Sequence, residues 1–69
     1  MITAAVSIIT PLFNRLDLVE ETWQSIQQQT LQNWEWIVVD DGSNDGGDEF
    51  IKKQSLADDR VKIFYRKEL

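Results

Sequence analysis

No cysteine and no histidine occur among the 69 residues. Their absence excludes a disulfide scaffold, a zinc site built on thiolate or imidazole, a catalytic thiol, and every acid–base scheme that needs a histidine. A chain this short buries only about 60% of the surface its unfolded form exposes, so it forgoes the staples on which small domains usually rely. Proline occurs once, as Pro11, and glycine three times, all between residues 42 and 47. Apolar runs reach at most four or five residues, far below the roughly 20 of a membrane-spanning helix. Met1-Ile2-Thr3-Ala4-Ala5 lacks the basic start of a secretory signal, and Arg66-Lys67-Glu68-Leu69 reads as an ordinary chain end. What is present is a 42% hydrophobic content, too high for an intrinsically disordered segment.

Charge is unevenly spread along the chain. Residues 1–34 hold one arginine against three acids, residues 35–49 hold six acids and no base, and residues 50–69 hold six bases against three acids. The net charge of −5 argues against binding a nucleic-acid backbone, which needs clustered Lys and Arg. The bases of the last third alternate with apolar residues, as on the solvent face of a strand.

The hydrophobic pattern predicts strand, helix, strand, helix, strand. Val6-Ser7-Ile8-Ile9-Thr10 is β-branched and apolar on both faces, as expected of a buried parallel strand, and Pro11 stops it. After a loop over 11–16, Asp17 is the expected N-cap, with Glu20 completing a variant capping box. Val19, Trp23 and Ile26 then form a helical stripe reaching about Gln29. Gln24 to Gln32 covers the exposed face and the following turn. Trp36-Ile37-Val38-Val39 is a second buried strand, entered through Trp34. A second helix starts near Gly47 or Asp48 and ends near Ser55 or Leu56. Asp48–Lys52 and Glu49–Lys53 are i, i+4 pairs in the favourable orientation. Asp58-Asp59 forms a turn, and Arg60–Arg66 is a third strand. Trp23, Trp34 and Trp36 are read as core. This order implies parallel strands joined by right-handed crossovers, half of a doubly wound sheet. Ligands of such sheets bind beyond the carboxyl ends of the strands, where the loops 11–16 and 40–47 lie.

The acidic, glycine-rich loop after the second strand is the feature to explain. Asp45 and Asp48 read as turn formers or caps of the second helix. Asp40 and Asp41 directly follow four apolar residues, where repulsion and desolvation are unfavourable without a compensating partner, and such pairs tend to mark sites. A carboxylate there can accept a hydrogen bond from a nucleobase ring N–H or help hold a divalent cation. Gly42, Gly46 and Gly47 match neither a Walker loop nor the Rossmann glycine spacing.

Three ordered motifs resemble the start of a family 2 glycosyltransferase of the GT-A fold. They are Val6-Ser7-Ile8-Ile9-Thr10-Pro11-Leu12-Phe13-Asn14-Arg15, Gln28-Gln29-Thr30-Leu31-Gln32-Asn33-Trp34-Glu35, and Ile37-Val38-Val39-Asp40-Asp41-Gly42-Ser43-Asn44-Asp45-Gly46. Asp59-Arg60-Val61 resembles the family's lead into its third strand. The resemblance implies an α/β fold: a three-stranded parallel β-α-β-α-β half of a GT-A (Rossmann-like) nucleotide-binding sheet, strand order 3-2-1. It implies that residues 1–69 are the N-terminal portion of an inverting enzyme that moves a sugar from a nucleotide-sugar donor, commonly UDP-linked, to an acceptor hydroxyl.

Residue by residue, Pro11 and Phe13 match positions lining the base, Phe13 replacing the commoner Tyr. Asp41 matches the carboxylate that reads uracil, and Asp40 its neighbour that supports the loop. Arg15 matches a frequent family residue of unassigned role. Gly47 departs from the usual Thr or Ser, which lends the N-cap job to Asp45. The resemblance also implies a divalent metal, Mg or Mn, whose D-x-D ligands and catalytic base lie beyond this chain, leaving the chain alone inactive. A cytoplasmic location, with the parent enzyme at the cytoplasmic membrane face, and polysaccharide synthesis are family-level expectations. The first strand is expected to present an open edge through which the chain forms a homo-oligomer. The other readings are a receiver-like signalling domain, whose paired Asp follow the first strand rather than the second, and a structural fragment without ligand.

Overall fold

The computed structural model describes residues 6–66. The readings made on the N-terminal pentapeptide and on Lys67-Glu68-Leu69 lie outside those residues. The elements are β1 (Val6–Leu12), α1 (Leu16–Gln28), β2 (Trp34–Asp40), α2 (Gly47–Ala57) and β3 (Val61–Tyr65). The strands form one parallel sheet in the order β1-β2-β3, the expected sheet read from its other edge.

Both helices pack on one face of the sheet. Burial alternates strictly along β2, with Trp34, Trp36, Val38 and Asp40 inward. They share one core with Leu12 of β1, Val61 of β3, the α1 stripe Val19, Trp23 and Ile26, and Ile51 of α2. Trp23 stacks on Trp36 with centroids 5.6 Å apart and planes 6° from parallel, and meets Trp34 edge-on at 6.1 Å. The Trp36 indole N–H, which would be costly to bury unpaired, donates to Thr10 Oγ1 at 2.9 Å. The Arg60 guanidinium lies 3.9 Å from the Trp34 ring centroid. It also grips Asp58 and donates to the Gln32 carbonyl, fixing the start of β3 against the start of β2. The Gln29 side chain closes the turn after α1, accepting from the Leu31 N–H at 2.6 Å and donating to the Leu31 carbonyl.

The other face of the sheet has no helix over it among the described residues. Ile9 is 67% exposed and Phe64 42%, with Ile37 and Val39 half-buried between them. The expectation that the first strand is buried on both faces is therefore corrected: two crossovers that return to one side leave the second side open. Toward its amino end this face turns polar, where Ser7 Oγ donates to Glu35 at 2.7 Å and Lys62 Nζ pairs with Glu35 at 3.2 Å.

Other boundaries also move. Pro11 does not stop β1, which runs on to Leu12. The Leu12 carbonyl accepts from the Asp41 N–H at 2.9 Å, so Leu12, Thr10 and Ile8 turn their ladder groups to β2. Pro11, Ile9 and Ser7 turn theirs to the open edge, where a missing N–H costs no sheet bond. Asp17 is not the N-cap of α1: Arg15 occupies that place without a side-chain cap, and Asp17 sits in the first turn. The third strand is Val61–Tyr65 rather than 60–66, and α2 runs on to Ala57. Asp48–Lys52 and Glu49–Lys53 are not among the ion pairs of the described residues.

Candidate functional site at the carboxyl ends of the strands

The parallel arrangement brings the ends of all three strands together. The register sets Leu12 beside Asp40, and Asp40 beside Tyr65. The chain after β1 and the chain after β2 therefore leave the sheet side by side, and side chains stitch the two loops together. Asn14 adopts a left-handed conformation at φ 50°, which Asn tolerates better than most residues. Its backbone N–H donates to Ser43 Oγ at 3.0 Å, and its Oδ1 accepts from the Asn44 N–H at 2.8 Å.

Asp40 is 2% exposed. Its carboxylate accepts from the Gly42 N–H at 3.0 Å and the Ser43 N–H at 3.1 Å. These amides are the compensation that a carboxylate at the end of an apolar strand requires. They also shape the turn, in which Gly42 sits at φ 92°, a conformation that favours glycine.

Asp45 is not the N-cap of α2: Gly46 holds that place, left-handed at φ 93° and without a side-chain cap, while the Asp45 carboxylate, one residue earlier, reaches the first amides of both helices. One oxygen accepts from the Gly47 N–H at 3.0 Å and the other from the Leu16 N–H at 2.9 Å. These two amides hold the Asp45 carboxyl below its usual range. A Cβ on Gly47 would lie 3.1 Å from Asp45 Oδ1 and 3.4 Å from a Leu12 methyl, so a larger residue there requires those neighbours to give way by a few tenths of an ångström.

Asp41 points outward and pairs with Arg66 at 3.1 Å, the two side chains 54% and 70% exposed. This pair divides two hollows. On one side Pro11, Leu12, Phe13 and Val39 join Asp41 and Arg66 around a cleft of about 250 Å³. On the other, residues 40–43 with Asp48 and Tyr65 border about 330 Å³. Phe13 is 58% exposed and presents its ring to this space rather than to the core. Of the residues singled out in the sequence, Pro11, Phe13, Asp40 and Asp41 thus converge. Arg15 does not line either hollow; it pairs with Asp17 at 3.3 Å.

The sequence pattern does not single out Arg66, which it sets on the solvent side of a strand. It lies one residue past β3, level with the loops that end β1 and β2, a placement that only the parallel register supplies. A larger hollow of about 520 Å³ lies at the opposite ends of the strands, around Gln32, Asn33, Arg60 and Lys62. Its Arg60 is already committed to Asp58 and Trp34. No group of three acidic, His or Cys side chains among the described residues is placed to hold a metal ion, and no described helix is long and apolar enough to cross a membrane.

A parallel β-α-β-α-β unit with a buried Asp beneath a glycine turn and an exposed Asp beside an aromatic cleft is half of a GT-A-type α/β sheet. The chain belongs to glycosyl transferase family 2, whose pattern matches residues 7–69. It is 38% identical over 63 residues to a putative teichuronic acid biosynthesis glycosyltransferase, TuaG, of Bacillus subtilis, covering 91% of this chain and 25% of the relative. It is 41% identical over 58 residues to the GalNAc(5)-diNAcBac-PP-undecaprenol beta-1,3-glucosyltransferase of Campylobacter jejuni, covering 84% and 19%. Glycosyltransferase GlyG of Streptococcus pneumoniae is 34% identical over 61 residues, covering 88% and 20%. The chain spans a quarter or less of the length of these curated relatives.

Proposed function

We propose that this chain is the nucleotide-sugar-binding portion of an inverting glycosyltransferase that uses a UDP-linked donor. The carrying observation is the convergence of Phe13, Pro11 and the outward carboxylate of Asp41 on one cleft at the carboxyl ends of parallel strands. In this reading the base lies against Phe13 and Pro11, and Asp41 accepts the ring N–H of uracil. Asp40 supports from below through the Gly42 and Ser43 amides. Arg15 braces Asp17 rather than the donor.

In the whole enzyme an acceptor hydroxyl attacks the anomeric carbon, the bond to the nucleotide diphosphate breaks, and the diphosphate leaves with the electron pair. The base that takes the hydroxyl proton is not among these residues, so the chain alone binds without turnover. A divalent ion, Mg or Mn, would neutralise the diphosphate. The described carboxylates do not supply its site, because Asp40 is spent on backbone amides and Asp41 on Arg66. The relative named for teichuronic acid biosynthesis favours a polysaccharide acceptor, with the parent enzyme working at the cytoplasmic membrane face. The open edge of β1 favours a homo-oligomer of the chain.

The test is titration of the chain with UDP, with and without MnCl₂, following the backbone amide resonances of Phe13 and of residues 41–43. Saturable shifts in the native chain that are lost in Asp41→Asn are expected. No response at millimolar UDP would refute the reading. Tryptophan emission is a poor reporter, since Trp34 and Trp36 lie toward the other end of β2.

A further inference from the structure

The Asp41–Arg66 pair forms part of both hollows. A nucleotide seated as proposed above needs the Asp41 carboxylate for its base, and in the free chain one of its oxygens already accepts from Arg66 Nη1 at 3.1 Å. The diphosphate meets a second obstacle. The residues bordering the two hollows include Asp40, Asp41 and Asp48, and Arg66 is the one cation among them. A polyanion entering this rim is repelled unless that cation turns toward it.

We propose that Arg66 is an exchange residue of the nucleotide site, pairing with Asp41 in the free chain and passing to the ligand's phosphates when Asp41 turns to the base. The proposal rests on the nucleotide reading above. Three features make the exchange inexpensive and directional. First, the pair is solvent-exposed on both sides, and exposed pairs hold each other by a factor of only a few in equilibrium constant. Second, the Arg66 backbone is fixed beside Asp40 through its neighbour Tyr65, the last residue of β3, while its side chain is 70% exposed and free to swing. Third, the guanidinium fork matches two phosphate oxygens at once, a stronger contact than its single bond to Asp41. Until the ligand arrives, the same bridge screens Asp41 from the neighbouring acids and occupies the carboxylate against other donors. Arg66 is thereby a specificity residue: it favours the base and the phosphates together over either part alone.

The experiment compares uridine, UMP and UDP on the native chain, Arg66→Gln, Arg66→Lys and Asp41→Asn by calorimetry. EDTA is present so that no divalent ion substitutes for the arginine. For Arg66→Gln, UDP binding is expected to weaken about tenfold or more, the scale of a lost charge-assisted contact. Uridine binding is expected to stay equal or tighten by up to about fivefold, because the lock on Asp41 is gone. Arg66→Lys should fall between for UDP, since it keeps the charge and loses the fork. Equal changes for uridine and UDP in Arg66→Gln would overturn the exchange, and if Asp41→Asn still abolished uridine binding the nucleotide reading would survive without it. Uridine binding indifferent to Asp41→Asn, or no binding of any of the three ligands by the native chain at millimolar concentration, would overturn both. Because Arg66 packs against nothing in the core, its variants are expected to give the native circular dichroism spectrum, and a spectrum of an unfolded chain would count against the surface role assigned to it.

Discussion

Asp45 holds the first turns of both helices with one carboxylate: Oδ2 receives the Leu16 N–H that opens α1, and Oδ1 receives the Gly47 N–H that opens α2. Two helix starts separated by some thirty residues of sequence thus share a single acceptor. Asp45→Ala is expected to raise hydrogen exchange at Leu16 and Gly47 together, with little change in the middle of either helix. Faster exchange at only one of the two amides would show that the tie is not shared.

Asp40→Ala should destabilise the chain by about 1–3 kcal/mol, because the Gly42 and Ser43 amides lose a buried acceptor. Asp41→Ala, at an exposed pair, should change stability by less than about 1 kcal/mol. Urea unfolding of the two variants checks the contrast, and equal small changes would show that neither acid has a structural role.

The tryptophan stack carries much of the core. Trp23→Ala removes the partner of both Trp34 and Trp36 and should cost about 3–5 kcal/mol, a large share of the roughly 5–15 kcal/mol typical of folded domains. Thermal melts followed by near-ultraviolet circular dichroism should show a collapsed or absent transition.

Stability should fall in acid. The carboxyls of Asp17, Asp45, Asp58 and Glu35 are held below their ordinary values of 3.8 for Asp and 4.5 for Glu. The causes, in turn, are the Arg15 guanidinium, the Leu16 and Gly47 amides, the Arg60 guanidinium, and the Ser7 hydroxyl with Lys62. A depressed folded pKa means that the unfolded chain binds more protons in this range. The stabilisation is therefore complete above the ordinary values and is lost as pH falls through the lower, folded ones. Denaturant midpoints that stay constant from neutral pH down through that window would contradict it.

Association through the open edge of β1 is expected to be blunted by charge. Ile9 turns its backbone groups to that edge and its side chain to the uncovered face. Ile9→Lys should shift sedimentation of concentrated samples toward the monomer, since edge lysines oppose strand pairing. A native chain that sediments as a monomer at high concentration removes the premise.

The order of elements was legible because each carries its own period: four apolar residues for β2, the Val19-Trp23-Ile26 stripe for α1, and the glycine cluster between β2 and α2. Pro11 misled because a proline breaks a strand only where its N–H is needed, and which strand lies at the edge is a property of the whole sheet. Asp17 misled for a similar reason. Its sequence context suits an N-cap, but Asp45 from another loop reaches Leu16 first, and no local pattern reports a partner that distant. Asp40 and Asp41 were recognisable as a pair, yet their opposite fates, one sealed under amides and one facing a cleft, follow from strand alternation at the last residue of β2. Arg66 was invisible as a site residue because only the parallel register places it beside Asp41.

The tryptophans gather toward the amino ends of the strands, while the loops at the carboxyl ends are fastened by Asn14, Ser43, Asp40 and Asp45. The molecule is thereby divided into a foundation and a rim. If the rim holds a nucleotide as proposed, substitutions at Phe13, Asp41 or Arg66 alter what is held without reaching the stacked indoles. On that reading the rim is free to vary in what it recognises while the foundation stays the same.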